Sequence, residues 1–156
     1  MQTFLPSTDF VECASILDSK RLCKQIVECK QIINGNFKYH PIHKLWNNHI
    51  DYLRQYTYCM CNEYSKRYNK KHSLFDEICI NDYNKNLSFL DFIDDYSILC
   101  LSHRVNLQRK NSLYYKQYVY DLTKYPEGYY WHGATTKGAL KSSEEWKQCI
   151  KGTVYD

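Results

Sequence analysis

The chain has 156 residues, enough for one domain with one sizeable core, and its 44% hydrophobic and 24% charged residues are the balance of a globular protein. Only 5 Gly and 3 Pro are present, too few for a fold built on many tight turns, so an all-β architecture is excluded and long helices are expected. A formal net charge of +4 admits a polyanionic partner without demanding one, and no run approaches the ~20 apolar residues of a membrane span.

Residues 1–6 read as an extended lead closed by Pro6. Ser7, Thr8 and Asp9 offer caps for a short helix ending at Leu17; Thr8 or Asp9 with Glu12 approaches a capping box. Asp18 caps a second helix that Asn34-Gly35 ends, with Leu22, Ile26, Cys29 and Ile33 as its apolar stripe. His40-Pro41 opens the next helix, with Pro in the first turn. Trp46, Ile50, Leu53, Thr57, Met60 and Tyr64 continue it as the longest periodic stretch, the expected central helix. Thr57 is its one semi-polar member, and its hydroxyl can bond a carbonyl one turn back.

The basic run Lys66, Arg67, Lys70 and Lys71 follows, then a short helix over 73–80 and a polar loop from Asn81 to Asn86. A helix over about 93–110 buries Ile98, Leu101 and Val105. Asn111-Ser112 breaks it ahead of a short aromatic helical turn, Leu113 to Tyr118. Pro126-Glu127-Gly128 is a turn, and Ser142 to Glu145 matches a capping box before a terminal helix around Trp146. The expectation is an all-α, compact, single-domain fold.

Eight cysteines, mostly at apolar helical positions and behind no secretory leader, read as reduced buried thiols in a cytoplasmic or nuclear setting. Cys59 and Cys61 form a C-x-C, but no second pair has zinc-ligand spacing. The Tyr-, Asn- and Lys-rich composition points to an AT-rich genome, such as a viral one.

Three clusters of residues can carry chemistry. Arg21, Gln25 and Glu28 fall at i, i+4 and i+7 on a line about 100° around the second helix from its apolar stripe, so they flank the core. A half-buried carboxylate beside an arginine suits acid/base work, and equally an intrahelical ladder. His40, His43 and Asn47 share a line at the start of the next helix, suited to phosphate contact or to plain polar packing; H-x-x-H is also a metal-like spacing, but no third ligand is evident. His103, Asn106 and Lys110, with Arg104 and Arg109 beside them, precede Tyr114, Tyr115, Lys116 and Tyr118. Basic residues interleaved with aromatics suit a nucleic-acid backbone and unstacked bases, or a solvated helix end.

The run MQTFLP..DF...A..LD..RL.KQ.VE..QI, then HP...LW, then SHR.NL.RK...YY, resembles the pyrimidine-dimer DNA glycosylase/endonuclease V family. The resemblance covers roughly residues 1–118, leaving 119–156 as a C-terminal extension packed on the same domain. It implies an all-helical enzyme that removes one base of an ultraviolet-induced dimer from duplex DNA. An N-terminal α-amine attacks the sugar C1′, a Schiff base forms, and β-elimination cuts the strand, with no metal or cofactor. It also implies an essential glutamate in the first long helix, carried onto Glu28 by R-L-x-K-Q-x-V-E.

The family exposes a threonine amine after its initiator Met is removed. Here residue 2 is Gln, whose long side chain hinders that removal, so the amine of Met1 is the candidate nucleophile. α-Amines as a class lose their proton near ~7.7–8, more readily than lysine; Lys20 or Lys24 is the substitute amine. The expected site is therefore Met1, Glu28, Gln25 and Arg21 for catalysis. His40, His43, Lys24, His103 and Asn106 would contact substrate, and Lys44, Arg104, Arg109 and Lys110 would hold phosphates. Two other readings share these residues: a non-catalytic nucleotide or nucleic-acid binder, and a small nucleotide hydrolase or phosphodiesterase using His40, His43 or His103.

Overall fold

The structure is a computed structural model that describes residues 1–78, 93, 95–131, 140–141 and 143–150. The fold is all-α: helices dominate, and the described strands are a single pair of two-residue segments. Contacts within the chain define two units, Met1–Asp91 and Phe92–Asp156. The helix over about 93–110 lies in the second unit.

In the first unit the extended lead runs into α1 (Phe10–Ile16), α2 (Ser19–Ile33), α3 (Pro41–Trp46), α4 (Ile50–Tyr68) and α5 (Phe75–Ile78). Asp9 caps α1 by accepting the amides of Val11 at 2.6 Å and Glu12 at 3.0 Å. Asp18 caps α2 through the Arg21 amide at 2.9 Å. Both side chains satisfy donors that a helix start leaves without partners. At the other end of α2, Gly35 takes φ +75° and its amide turns back to the Ile32 carbonyl at 2.9 Å, the left-handed closure that glycine permits.

Helices α1 and α2 both pack on α4. The core between them is Cys13, Ala14, Leu22, Ile26, Cys29, Leu53, Tyr56, Met60 and Cys61, all fully enclosed. Each large apolar side chain withdrawn from water there contributes about 1.5–3 kcal/mol. Ile32, not Ile33, completes the α2 stripe. Thr57 donates to the Leu53 carbonyl at 2.6 Å, so its hydroxyl is satisfied one turn back as expected.

The helix expected to run unbroken from Pro41 through Tyr64 is two helices. Asn47 and Asn48 are exposed and the His49 amide turns back to the Trp46 carbonyl at 2.8 Å, which ends α3 one turn early. Asn competes for its own backbone outside a helix, and His49, at φ −135°, leaves helical geometry before α4 begins. Helix α4, with 19 residues, is the longest described and is the central helix of its unit. Arg67 reaches from its last turn to the carbonyls of Leu17 at 2.6 Å, Ser15 at 2.9 Å and Ala14 at 3.2 Å, and so closes the C-terminus of α1.

In the second unit α6 (Tyr96–Lys110) is buried on most of its faces, including the expected Ile98, Leu101 and Val105. It packs on β1 (Tyr129–Tyr130) and on α7 (Ser143–Ile150), and β1 pairs in parallel with β2 (Leu140–Lys141). Residues 112–117 form successive turns where a helical turn was expected. They start from Asn111, whose side chain receives the Tyr114 amide at 3.1 Å. Residues 81–86, the end of the 73–80 helix and Ser142 lie outside the described residues.

Candidate active site

Glu28 is the centre of the first unit's polar interior. It is 8% exposed and sits on α2 next to the fully buried Cys29. The lead explains its burial. Thr3, Phe4 and Leu5 are enclosed, so the chain's first residues lie against α2 and α4. The Met1 amine stands 3.7 Å from Glu28 Oε1, both groups nearly shut off from solvent. The Gln2 amide donates to Glu28 Oε2 at 3.2 Å, and Lys24 Nζ lies 3.6 Å from Oε1 on the exposed side.

Gln25 places the lead. It is 1% exposed. Its Nε2 donates to the Gln2 carbonyl at 2.6 Å and lies 3.5 Å from Glu28 Oε2; its Oε1 accepts the Phe4 amide at 3.0 Å. The Tyr56 hydroxyl donates to the Phe4 carbonyl at 2.7 Å and stands 2.9 Å from Gln25 Oε1. Burial pushes the Tyr56 hydroxyl well above its ordinary pKa, so it stays a neutral donor. Trp46 Nε1 donates to Thr3 Oγ1 at 2.9 Å. Main-chain groups of an extended segment, which would be orphaned in the interior, thus find partners from α2, α3 and α4.

Of the expected catalytic residues, Met1, Gln25 and Glu28 meet. Arg21 does not join them: its guanidinium pairs with Asp18 at the start of α2. The Arg–Glu ladder is replaced by a cap reinforced by charge at one end and a carboxylate facing an amine at the other. Lys24 meets Glu28 as described. His40 caps α3, its Nδ1 accepting the Ile42 amide at 3.1 Å. Burial first, and then the cation at the N-terminus, lower its pKa, while Glu28 opposes them; His43 acts on it as well. His43 is 5% exposed and lines a cleft of about 390 Å³ with Gly35, Lys38, Lys44 and Asn47.

The remaining candidates lie in the second unit. His103 is enclosed, edge-on to Tyr129 and Trp131, and desolvation pushes its pKa down to about 3. Asn106 donates to the carbonyls of Ser102, at 2.7 Å, and Gly128. Arg109 donates to the carbonyls of Pro126 at 2.6 Å, Leu122 at 2.8 Å and Tyr125 at 2.8 Å, a clamp on the 122–126 loop. Arg104 is half-buried and Lys110 exposed. Sequence reasoning missed Tyr56, Thr3 and Trp46. Among the described residues, no group of three His, Cys, Asp or Glu is placed to hold a metal ion, and no disulfide forms among the seven described cysteines.

No curated protein and no solved structure matches the chain. Residues 1–76 do match the sequence profile of the family described as pyrimidine dimer DNA glycosylase; the SHR.NL.RK block lies beyond the match. The matched stretch contains the lead, α1 to α4 and every group around Glu28, so the segment that builds this site is similar to the pyrimidine dimer DNA glycosylase family.

Proposed function

We propose that the chain is a DNA glycosylase with lyase activity, acting on a damaged pyrimidine through the α-amine of Met1. The observation that carries this reading is the pairing of that amine with Glu28, 3.7 Å apart and enclosed, inside the family-matched segment. In the deprotonated state the amine nitrogen bonds to the sugar C1′ and the N-glycosidic bond breaks, its electron pair leaving with the base, which is then protonated. Opening of the sugar ring gives an iminium. Loss of a C2′ proton expels the 3′ phosphate, and water releases the amine.

Glu28 holds the amine, takes up its proton and faces the positive charge that develops at the sugar and on the iminium. Gln25 and Tyr56 are positioning residues: they hold the main chain of Gln2 and Phe4 so that the amine meets the carboxylate. Lys24 and His40 border the pair, and Lys44 supplies charge for the DNA backbone. In the second unit, Arg104 and Lys110 take a phosphate-holding role on charge alone. His103, Asn106 and Arg109 serve that unit's packing, because His103 is enclosed among aromatic rings and carbonyls take the donors of Asn106 and Arg109.

The test is reduction with borohydride in the presence of abasic duplex DNA, alongside the intact mass. The expected result is a covalent adduct at the first residue, with Met1 present, that Glu28→Gln removes. No adduct, or an adduct indifferent to Glu28→Gln, overturns the reading; binding without an adduct would instead identify a non-catalytic DNA binder.

A further inference from the structure

The cleft beside α3 has the composition of an anion site. Its lining is Gly35, Lys38, His43, Lys44 and Asn47, with two cations and no carboxylate among them. Lys38 and Lys44 are exposed, so their ammonium groups are hydrated. His43 forms the inner wall. It is 5% exposed, and its Nδ1 has no hydrogen-bond partner among the described residues. A buried ring nitrogen without a partner costs about 1–3 kcal/mol unless something enters to meet it.

The backbone builds the opposite wall. Gly35 at φ +75° ends α2, and the Lys38 stem crosses it, Cε 3.7 Å from where a Cβ would stand. The Lys38 stem thus packs beside the left-handed turn, and Lys38 and Lys44 both line the cleft. His40 lies between the cleft and the Met1–Glu28 pair in charge terms. His40 feels the charge of the N-terminus, of Glu28 and of His43, so one side chain lies within electrostatic reach of both places.

We propose that this cleft seats one phosphodiester of the DNA strand, with Lys38 and Lys44 on its non-bridging oxygens and His43 Nδ1–H and the Asn47 amide donating from the wall. The inference rests on the DNA-directed reading above and gives it a fixed backbone contact near the reacting amine. A phosphodiester, and not a free nucleotide, is favoured because the cleft is open and its lysines are solvated, while the one ring among the lining residues, the His43 imidazole, is 5% exposed and offers little face for a base to stack on.

The experiment measures equilibrium binding of the full chain to a duplex with a reduced, unreactive abasic site, over a range of salt. Wild type is compared with Lys38→Ala/Lys44→Ala and with Lys38→Arg/Lys44→Arg, and each backbone position near the site is replaced in turn by a neutral methylphosphonate. The alanine pair is expected to bind about 10-fold more weakly at low salt and to lower the slope of log K against log salt by about 1, the value for one neutralised phosphate. The arginine pair retains most of the binding. One methylphosphonate position weakens wild type but not the alanine pair. Inorganic phosphate at millimolar concentration competes with wild type more than with that pair.

Unchanged affinity and slope in the alanine pair, or no position at which neutral backbone and alanine pair fail to add, overturns the site. Competition by a nucleoside monophosphate far stronger than by inorganic phosphate overturns the phosphodiester assignment in favour of a nucleotide pocket. The wild-type borohydride trap is read separately. A missing trap with an intact methylphosphonate effect defeats the glycosylase reading and leaves the site standing; a trap without that effect does the reverse.

Discussion

The Gln25 side-chain amide donates to the Gln2 carbonyl at 2.6 Å across 23 residues of sequence, and this contact sets where the chain's first amine stands. Gln25→Ala removes the donor to Gln2 and the acceptor for the buried Phe4 amide together. It is expected to lower stability by about 2–3 kcal/mol in urea unfolding. Activity should fall further than the fraction folded accounts for, because the amine is released from Glu28. A borohydride-trapping rate that tracks only the folded fraction would assign Gln25 a purely structural role.

Tyr56→Phe keeps the ring, its edge-on contact with Phe10 at 5.5 Å and its burial, and removes only the hydroxyl. The Phe4 carbonyl then loses its partner, at an expected cost of about 1–2 kcal/mol, or roughly 2–8 °C in the melting temperature of a chain this size. A melt equal to wild type would show that water replaces the hydroxyl.

Glu28→Gln keeps the shape of the side chain and removes its charge. The trapping rate is expected to fall by about 10²–10⁴-fold, the range for a positioned acid/base group. The melt should move little by comparison, since the amide still accepts from the Gln2 amide. A large fall in the melting temperature would mean that the ion pair with Met1 carries the fold of the lead.

Two buried groups give opposite pH dependences. His103, at about 3, is depressed below its ordinary 6.5, so the unfolded chain takes up a proton that the folded one refuses. Stability is therefore complete above pH 6.5 and declines as the pH falls from there toward 3. Cys29 is raised from 9.0 to about 12 by burial, so its contribution is complete below pH 9.0 and is lost between there and 12. Chemical denaturation across pH should show the acid limb shrink in His103→Phe and the alkaline limb shrink in Cys29→Ala. Native alkylation at pH 8 should reach Cys23, Cys59 and Cys149, which are half-exposed, before Cys29.

Arg67→Ala releases three carbonyls at the end of α1 and leaves Glu63 without its 2.6 Å partner. Hydrogen bonds to charged groups contribute about 1.5–3 kcal/mol each, with strong overlap in one cluster, so a total loss of about 2–4 kcal/mol is expected. Urea unfolding followed by far-ultraviolet circular dichroism measures it.

The helix starts were legible in the sequence because capping is local. Asp9 and Asp18 announce α1 and α2, and Gly35 announces the end of α2. The flanking line of Gln25 and Glu28 was legible for the same reason: a rotation of about 100° from the apolar stripe places a side chain at the edge of a core. Arg21 belonged to a nearer carboxylate, and its i, i+3 spacing to the capping Asp18 was the signal. Tyr56 was hidden. On α4 it reads as one more core aromatic, and only the packing of α2 on α4 brings its hydroxyl to Gln25. Lys38 was hidden too, since nothing in its neighbours shows that it lines a cleft beside the Gly35 turn. The α3–α4 break was readable in Asn47-Asn48, but apolar spacing continuing across it masked the signal.

The lead is gripped chiefly by its backbone: Gln25 and Tyr56 hold the carbonyls of Gln2 and Phe4 and the amide of Phe4, not their side chains. Phe4 is also buried, at 4% exposed, so both its side chain and the register of the segment are fixed by the fold. Adding or deleting one residue ahead of Phe4 would slide the segment by about 3.3 Å and exchange its two faces. Thr3 would leave Trp46, and Glu28 would face a peptide bond or a void instead of an amine. Spacing, together with the buried side chains of Thr3, Phe4 and Leu5, is what this end of the molecule has to preserve.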